Sequence, residues 1–118
     1  MNKRIGELGQ IQAASFLVKQ GYRILHQNVR LGYKEADILV VKDRILVVVE
    51  VKTNIHCFSK VQMIQRFSRG QFARLSAIGS FYVNTIREIQ ELRIDLIGVC
   101  LEYKNAQIKH LIDISLYI

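Results

Sequence analysis

The apolar positions of this chain follow two periodicities, one helical and one alternating. Residues 5–20 hold good helix formers (Ala13, Ala14, Leu17, Lys19, Gln20), and Gly21 follows where a left-handed C-terminal cap belongs. From Tyr22 to Val29 the pattern becomes strand-like, and a turn is expected around Leu31-Gly32-Tyr33. Two strands follow, 35–41 (Glu-Ala-Asp-Ile-Leu-Val-Val) and 45–52 (Ile-Leu-Val-Val-Val-Glu-Val-Lys). Only Lys42-Asp43-Arg44 separates them, which predicts a hairpin. Residues 53–66 read as irregular or weakly helical. Ser68 is placed to cap a second helix running to about Asn84, with Phe72, Leu75, Ile78, Gly79 and Tyr82 at helical spacing. Strands at about 93–101 and 107–113, joined by a turn at Lys104-Asn105, complete the chain. This order predicts an α/β fold, a mixed central β-sheet flanked by helices.

Composition narrows the class. A length of 118 residues, 50% of them apolar, fits a single domain spanning 1–118 and argues against a disordered tail. Glu50 and Lys52 interrupt the longest apolar run, so no membrane span is expected. The basic start Met1-Asn2-Lys3-Arg4 leads into Glu7, Gln10 and Gln12 rather than an apolar signal segment, which points to a cytoplasmic protein. Cys57 and Cys100 form no C-x-x-C pair and read as buried or incidental thiols, not as a structural disulfide. His56 beside Cys57 lacks zinc-ligand spacing.

Charge changes the picture more. Seventeen Lys and Arg face ten Asp and Glu, giving a formal charge of +7. No acid occurs between Glu50 and Glu88, a stretch that holds Lys52, Lys60, Arg66, Arg69, Arg74 and Arg87. A polyanion is the natural partner of such a segment, with Lys60, Arg66, Arg69 and Arg74 as candidate nucleic-acid contacts; a solvated helix face is the plainer alternative.

The hairpin concentrates the candidate chemistry. With a two-residue Asp43-Arg44 turn, opposed residues sum to 87. One face then reads Val40/Val47, Ile38/Val49, Ala36/Val51. The other reads Val41/Leu46, Leu39/Val48, Asp37/Glu50, Glu35/Lys52. Asp37 and Glu50 become cross-strand neighbours, an arrangement that a divalent cation or a shared proton relieves. Lys52 points to the same side as Glu50 and is placed to hold a phosphate or help deprotonate an attacking water. In the plainer alternative Glu35 pairs with Lys52 in an exposed ladder. A three-residue turn would set Asp37 opposite Val49 instead.

These residues also carry a family resemblance. Gly6-x-x-Gly9, Ala13-x-x-x-Leu17-x-x-x-Gly21-Tyr22-x-Ile24-Leu25, Asn28-x-Arg30, Glu35-x-Asp37-Ile38, Val49-Glu50-Val51-Lys52-Thr53 and Arg93-x-Asp95 occur in order. The chain resembles the YraN-like family of small bacterial proteins in the PD-(D/E)xK nuclease superfamily, similar in fold to archaeal Holliday-junction resolvases and the restriction endonuclease core. The resemblance implies a Mg²⁺- or Mn²⁺-dependent endonuclease acting on DNA, branched DNA included. Asp37 and Glu50 match the metal-binding acids and Lys52 the catalytic lysine, with Glu35 orienting Lys52 or the metal's waters. Symmetric cleavage of a junction needs two sites, so a homodimer is expected only for that substrate.

Several positions depart from the family pattern. Gln10 stands where the first helix usually carries a Glu reaching the metal site. Glu7, one turn earlier, is either a compensating carboxylate or a helix acid favoured by the dipole. Lys34 replaces a Gly, Asn54 an Arg and Gln71 a Lys, with Arg69 or Arg74 as the alternative source of that last charge. The thinned set fits a slow or altered nuclease, and it also fits a nucleic-acid-binding module that has lost catalysis.

Overall fold

The computed structural model describes residues 3–102 and 105–118. Helix α1 (Lys3–Lys19) begins two residues before the expected start and ends one residue before the expected end. Gly21 has φ 93°, Gly21 N–H donates to the Val18 carbonyl, and Tyr22 N–H reaches back to Leu17. This paired closure uses up the helix's last carbonyls and turns the chain into the sheet.

Strands β1 (Arg23–Leu31), β2 (Lys34–Lys42) and β3 (Ile45–Asn54) form an antiparallel meander. Gly32, with φ 64°, opens the first turn. Asp43 and Arg44, with φ 51° and 64°, make the second turn two residues long. Two successive positive φ values match the right-handed twist of flanking strands, which fixes the expected register from Lys42 opposite Ile45 to Ile38 opposite Val49. The ladder ends there, so the expected Asp37/Glu50, Ala36/Val51 and Glu35/Lys52 pairs lie beyond it. After β3 come the short helix α2 (Lys60–Gln65) and α3 (Arg69–Val83), each started by a reciprocal Ser–Gln capping box: Ser59 with Gln62, Ser68 with Gln71. The chain then enters β4 (Glu91–Cys100) parallel to β3, and β5 (Gln107–Leu111) returns antiparallel. The last strand stops at Leu111, two residues short of the expected end, and after Asp113, with a left-handed φ of 57°, a short 3₁₀ turn spans Ile114–Leu116. Lys104 of the expected final turn lies outside the described residues.

The five strands lie in the order β1-β2-β3-β4-β5. One face, carrying Ile38, Val40, Val47, Val49, Ile97 and Val99, is buried against Ala13, Ala14 and Leu17 of α1. The other, carrying Leu39, Leu46, Val48, Ile94 and Leu96, packs on Leu75 and Ile78 of α3. The fold is α/β with a mixed sheet between helices, compatible with a restriction endonuclease-like core. Ala36 departs from the expected face. It joins the α3-side cluster with its partner Val29, because the β2–β3 pairing ends at Ile38 opposite Val49 while β2 stays paired with β1.

The two cysteines correct the sequence reading: Cys57 and Cys100 are joined by a disulfide, with Cα atoms 4.9 Å apart. Asn54 lies beside Cys100 in the parallel pairing, and three further residues bring Cys57 back over the end of β4. A separation of 43 residues hid this proximity.

Gly9 sets the closest approach of α1 to the sheet. A methyl group there would overlap the Thr53 side chain, its centre only 2.6 Å from Thr53 Cβ, whereas Gly6 has nothing within 4 Å. Gly9→Ala is expected to cost about 1–3 kcal/mol in urea unfolding, overriding its gain in helix propensity. Gly6→Ala should be neutral or stabilising by up to ~1 kcal/mol. Equal effects of the two substitutions would contradict this packing.

Candidate active site

The site forms where β2 and β3 part. Beyond Ile38–Val49 the Val51 N–H donates to the Asp37 side chain, Oδ2 at 2.7 Å, instead of continuing the ladder. The Asp37 carboxyl is largely buried, and its pKa is pushed up to about 7. Burial contributes most, followed by the charge of Glu50 and a hydrogen bond between the two carboxyls; the Val51 N–H and Lys52 act in the opposite direction. The Lys52 ammonium lies 3.2 Å from Glu50 Oε2, both side chains partly shielded. The structure therefore brings Asp37, Glu50 and Lys52 into one contiguous group.

Two depressions adjoin it. A cleft of about 890 Å³ is lined by Gly6, Glu7 and Gln10 of α1, Gln27 and Asn28 of β1, and Asp37, Lys52 and Thr53, with Phe58, Met63 and Arg66 on its far wall. A smaller, strongly polar depression of about 320 Å³ is lined by Tyr33, Glu35, Asp37, Glu50, Gln71 and Arg74. Asp37 and Val51 line both and so stand between them.

The helix residues separate clearly. Gln10 Nε2 donates to the Asp37 carbonyl at 3.3 Å and to Gln27 Oε1 at 3.1 Å. Glu7 lines the large cleft but is exposed. At 100° per residue Gln10 lies about 60° from the fully buried Ala13 and Glu7 about 120°. Glu7 also lies outside the first turn, where the dipole would favour it.

Glu35 lines the small depression but pairs with Arg30 at 3.1 Å, directly across the β1–β2 ladder, rather than with Lys52. Of the basic candidates, Arg66 lines the large cleft, its guanidinium over the Phe58 ring at 4.5 Å, and Arg74 lines the acid-rich depression. Lys60 instead covers the Tyr117 ring at 4.6 Å, and exposed Arg69 lines neither depression. Gln71 combines two roles, capping α3 through Ser68 and lining the depression.

Sequence reasoning passed over Gln27 as a site neighbour. The irregularity between Ile24 and His26 shifts the β1–β2 register, and Asn28 has φ 53°. Neither follows from alternation. Asp95 has a different role from the site acids. It is fully buried and held by Arg93 at 2.8 and 3.0 Å, His110 at 2.7 Å and the Asp113 N–H at 2.9 Å. Burial opposes its ionisation, but bonds from His110, Arg93 and Asp113 outweigh burial and hold its carboxyl below the usual range. Arg93 also donates to the Tyr22 hydroxyl at 2.7 Å, tying the start of β1 to β4.

A family model described as "Uncharacterised protein family UPF0102" matches residues 9–99. The chain belongs to this family. A UPF0102 protein of Syntrophomonas wolfei is 30% identical over 115 residues, covering 96% of this chain and 98% of the relative. One from Kosmotoga olearia is 35% identical over 112 residues, 94% and 92% of the two chains. Another from Flavobacterium psychrophilum is 33% identical over 110 residues, 92% and 91%. The UPF0102 match bears out the YraN-like resemblance and its place in the PD-(D/E)xK nuclease-like superfamily. Among the described residues of this UPF0102 chain, no helix is long and apolar enough to cross a membrane.

The raised Asp37 pKa carries a sign. Folding lifts it from 3.8 to about 7, so the folded chain holds the extra proton between those values. This contribution is fully present below the lower value and is lost as pH rises through the upper one. Stability should therefore fall between about pH 4 and pH 7. Asp37→Asn, which keeps an oxygen for the Val51 N–H but removes the charge, should flatten this slope and raise the urea midpoint at pH 8. An unaltered slope in the variant would show that another group titrates.

Proposed function

We propose that this protein is a Mg²⁺- or Mn²⁺-dependent endonuclease-like phosphodiesterase of the cytoplasm that acts on DNA, branched DNA included. The observation that carries the reading is the pair of carboxyls, Asp37 and Glu50, facing one depression, with the Lys52 ammonium 3.2 Å from Glu50. Two acids held together at a partly buried position, one with its pKa raised toward neutrality by burial and by the other's charge, fit a divalent cation. Hard oxygen donors are what Mg²⁺ and Mn²⁺ take, and Asp37 and Glu50 would hold it. When bound, such a cation supplies Lewis-acid stabilisation of charge developing on the phosphoryl group.

The chain's own groups have separable tasks. The Val51 N–H fixes one oxygen of Asp37, leaving the other for the cation. Lys52 neutralises Glu50 in the free protein and is placed to hold a phosphate oxygen and orient the attacking water. Arg66 in the large cleft and Arg74 in the small depression supply positive charge on either side for a phosphate backbone. Arg74 stands in for the charge that Gln71 lacks.

Gln10 favours a second reading, a binding module of impaired catalysis. Its amide is committed to the Asp37 carbonyl and to Gln27, and it offers no carboxylate to a cation.

The deciding experiment incubates purified protein with linear, nicked and four-way-junction DNA, with and without Mg²⁺ or Mn²⁺. Cleavage should require the metal and fall roughly 100- to 1,000-fold in Lys52→Ala, within the range for loss of a charge-stabilising group. Cleavage no greater than in Lys52→Ala would remove the enzymatic reading. DNA binding that persists without cleavage would then support the binding module. Under either reading, Arg66→Ala and Arg74→Ala should each weaken DNA binding and reduce its log–log salt slope by about one. Salt-insensitive binding would contradict a phosphate-dominated interaction.

A further inference from the structure

Outside the cleft, Cys57, Cys100 and Glu102 bring two sulfurs and a carboxylate oxygen within 4.8 Å of one another. The two sulfurs are bonded in this structure, and a carboxylate adds nothing to a disulfide. The same three atoms do make sense as ligands. Two thiolates and a carboxylate around one tetrahedral ion stand about 3.3–3.8 Å apart, which small side-chain rotations reach from this arrangement. The backbones are already close, with the cysteine Cα atoms 4.9 Å apart. Cys57 and Glu102 are exposed, giving an ion direct access, whereas Cys100 is buried and lies 3.9 Å from the Ile55 carbonyl.

We propose that in the reduced chain Cys57, Cys100 and Glu102 form a three-ligand site for a thiophilic divalent cation of the zinc class, with the fourth position open to water. The site is distinct from the Asp37–Glu50 pair, which offers only oxygen donors and suits harder cations. The disulfide and the metal site are alternative states of one cluster. An external dithiol passes two electrons and two protons to the Cys57 and Cys100 sulfurs and is itself oxidised to a disulfide. The entering cation then displaces the two thiol protons. Either closed state ties the segment after β3 to the end of β4. Phe58, next to Cys57, lines the large cleft, so the cluster anchors one wall of it. A reducing compartment favours the dithiol, and hence the metal-bound state.

Cobalt(II) tests this, because its sulfur charge-transfer absorption in the near-ultraviolet arises only from thiolate ligation and not from Asp37 or Glu50. Full-length protein, reduced and freed of reductant under anaerobic conditions, should develop the band at one equivalent of Co²⁺ and lose it on adding Zn²⁺. The oxidised chain and Cys57→Ser should not develop it. Glu102→Gln should keep a thiolate band but bind roughly tenfold or more weakly. Both substituted positions are exposed, so neither variant empties the core; circular dichroism checks that each is folded. Absence of the band in the reduced wild-type chain, or its persistence in Cys57→Ser, would overturn the site. Undiminished affinity in Glu102→Gln would overturn the three-ligand set.

Discussion

One hydrogen bond governs the rest: the Val51 N–H donating to the Asp37 carboxylate where β2 and β3 separate. A backbone donor leaving a ladder must find another acceptor or lose about 1–3 kcal/mol. By accepting that bond, Asp37 lets the strands part without an orphaned amide. The parting opens space for the carboxyls. It also allows Ala36 to follow β1 into the other core cluster. The same side chain that ends the ladder is one whose ionisation the surroundings resist. Structural closure and chemical tension thus reside in a single carboxyl.

The surroundings of that group divide by element. From one side α1 approaches the sheet so closely that only a glycine fits against Thr53, which brings Gln10 to the Asp37 carbonyl. From the other, α3 brings Arg74 and Gln71 to the Glu50 side. The large cleft is bounded by α1 and by the segment that the Cys57–Cys100 linkage ties to β4. Arg66 lines one depression and Arg74 the other, with Asp37 between them, while Glu50 and Lys52 are paired with each other.

Much of this was legible in the chain itself. The two-residue turn at Asp43-Arg44, the alternation of β2 and β3 and the serine cap of α3 are local signals. Local energetics decide them: left-handed turn residues, pleat parity and satisfaction of a helix N-terminus. What escaped was non-local. The Cys57–Cys100 linkage depends on a parallel pairing of β3 with β4 across two intervening helices, and no spacing rule encodes it. The β1 irregularity that sets Gln27 beside Gln10 is likewise invisible to a period-two pattern. Glu35 was assigned by hairpin parity to Lys52, but β1 offered Arg30 directly opposite, on the strand with which that end of β2 remains paired. The Asn28 backbone, left-handed at φ 53°, carried a signal only through the family motif.

The Asp43–Arg44 turn lines neither depression, yet it works as a ruler for both. Asp37 and Glu50 each lie six positions from the nearer turn residue, so a count made at one end of the hairpin is read out at the other. Adding one residue there would slip one strand past its partner and exchange the two sides of the pleat. The acid would then face an aliphatic neighbour in the core, and a carboxyl would enter the helix interface. The tip of the hairpin therefore carries a length constraint that its own exposed, polar residues do not reveal. Insertions accepted in an ordinary surface loop would here be transmitted to the far end as a change of chemistry.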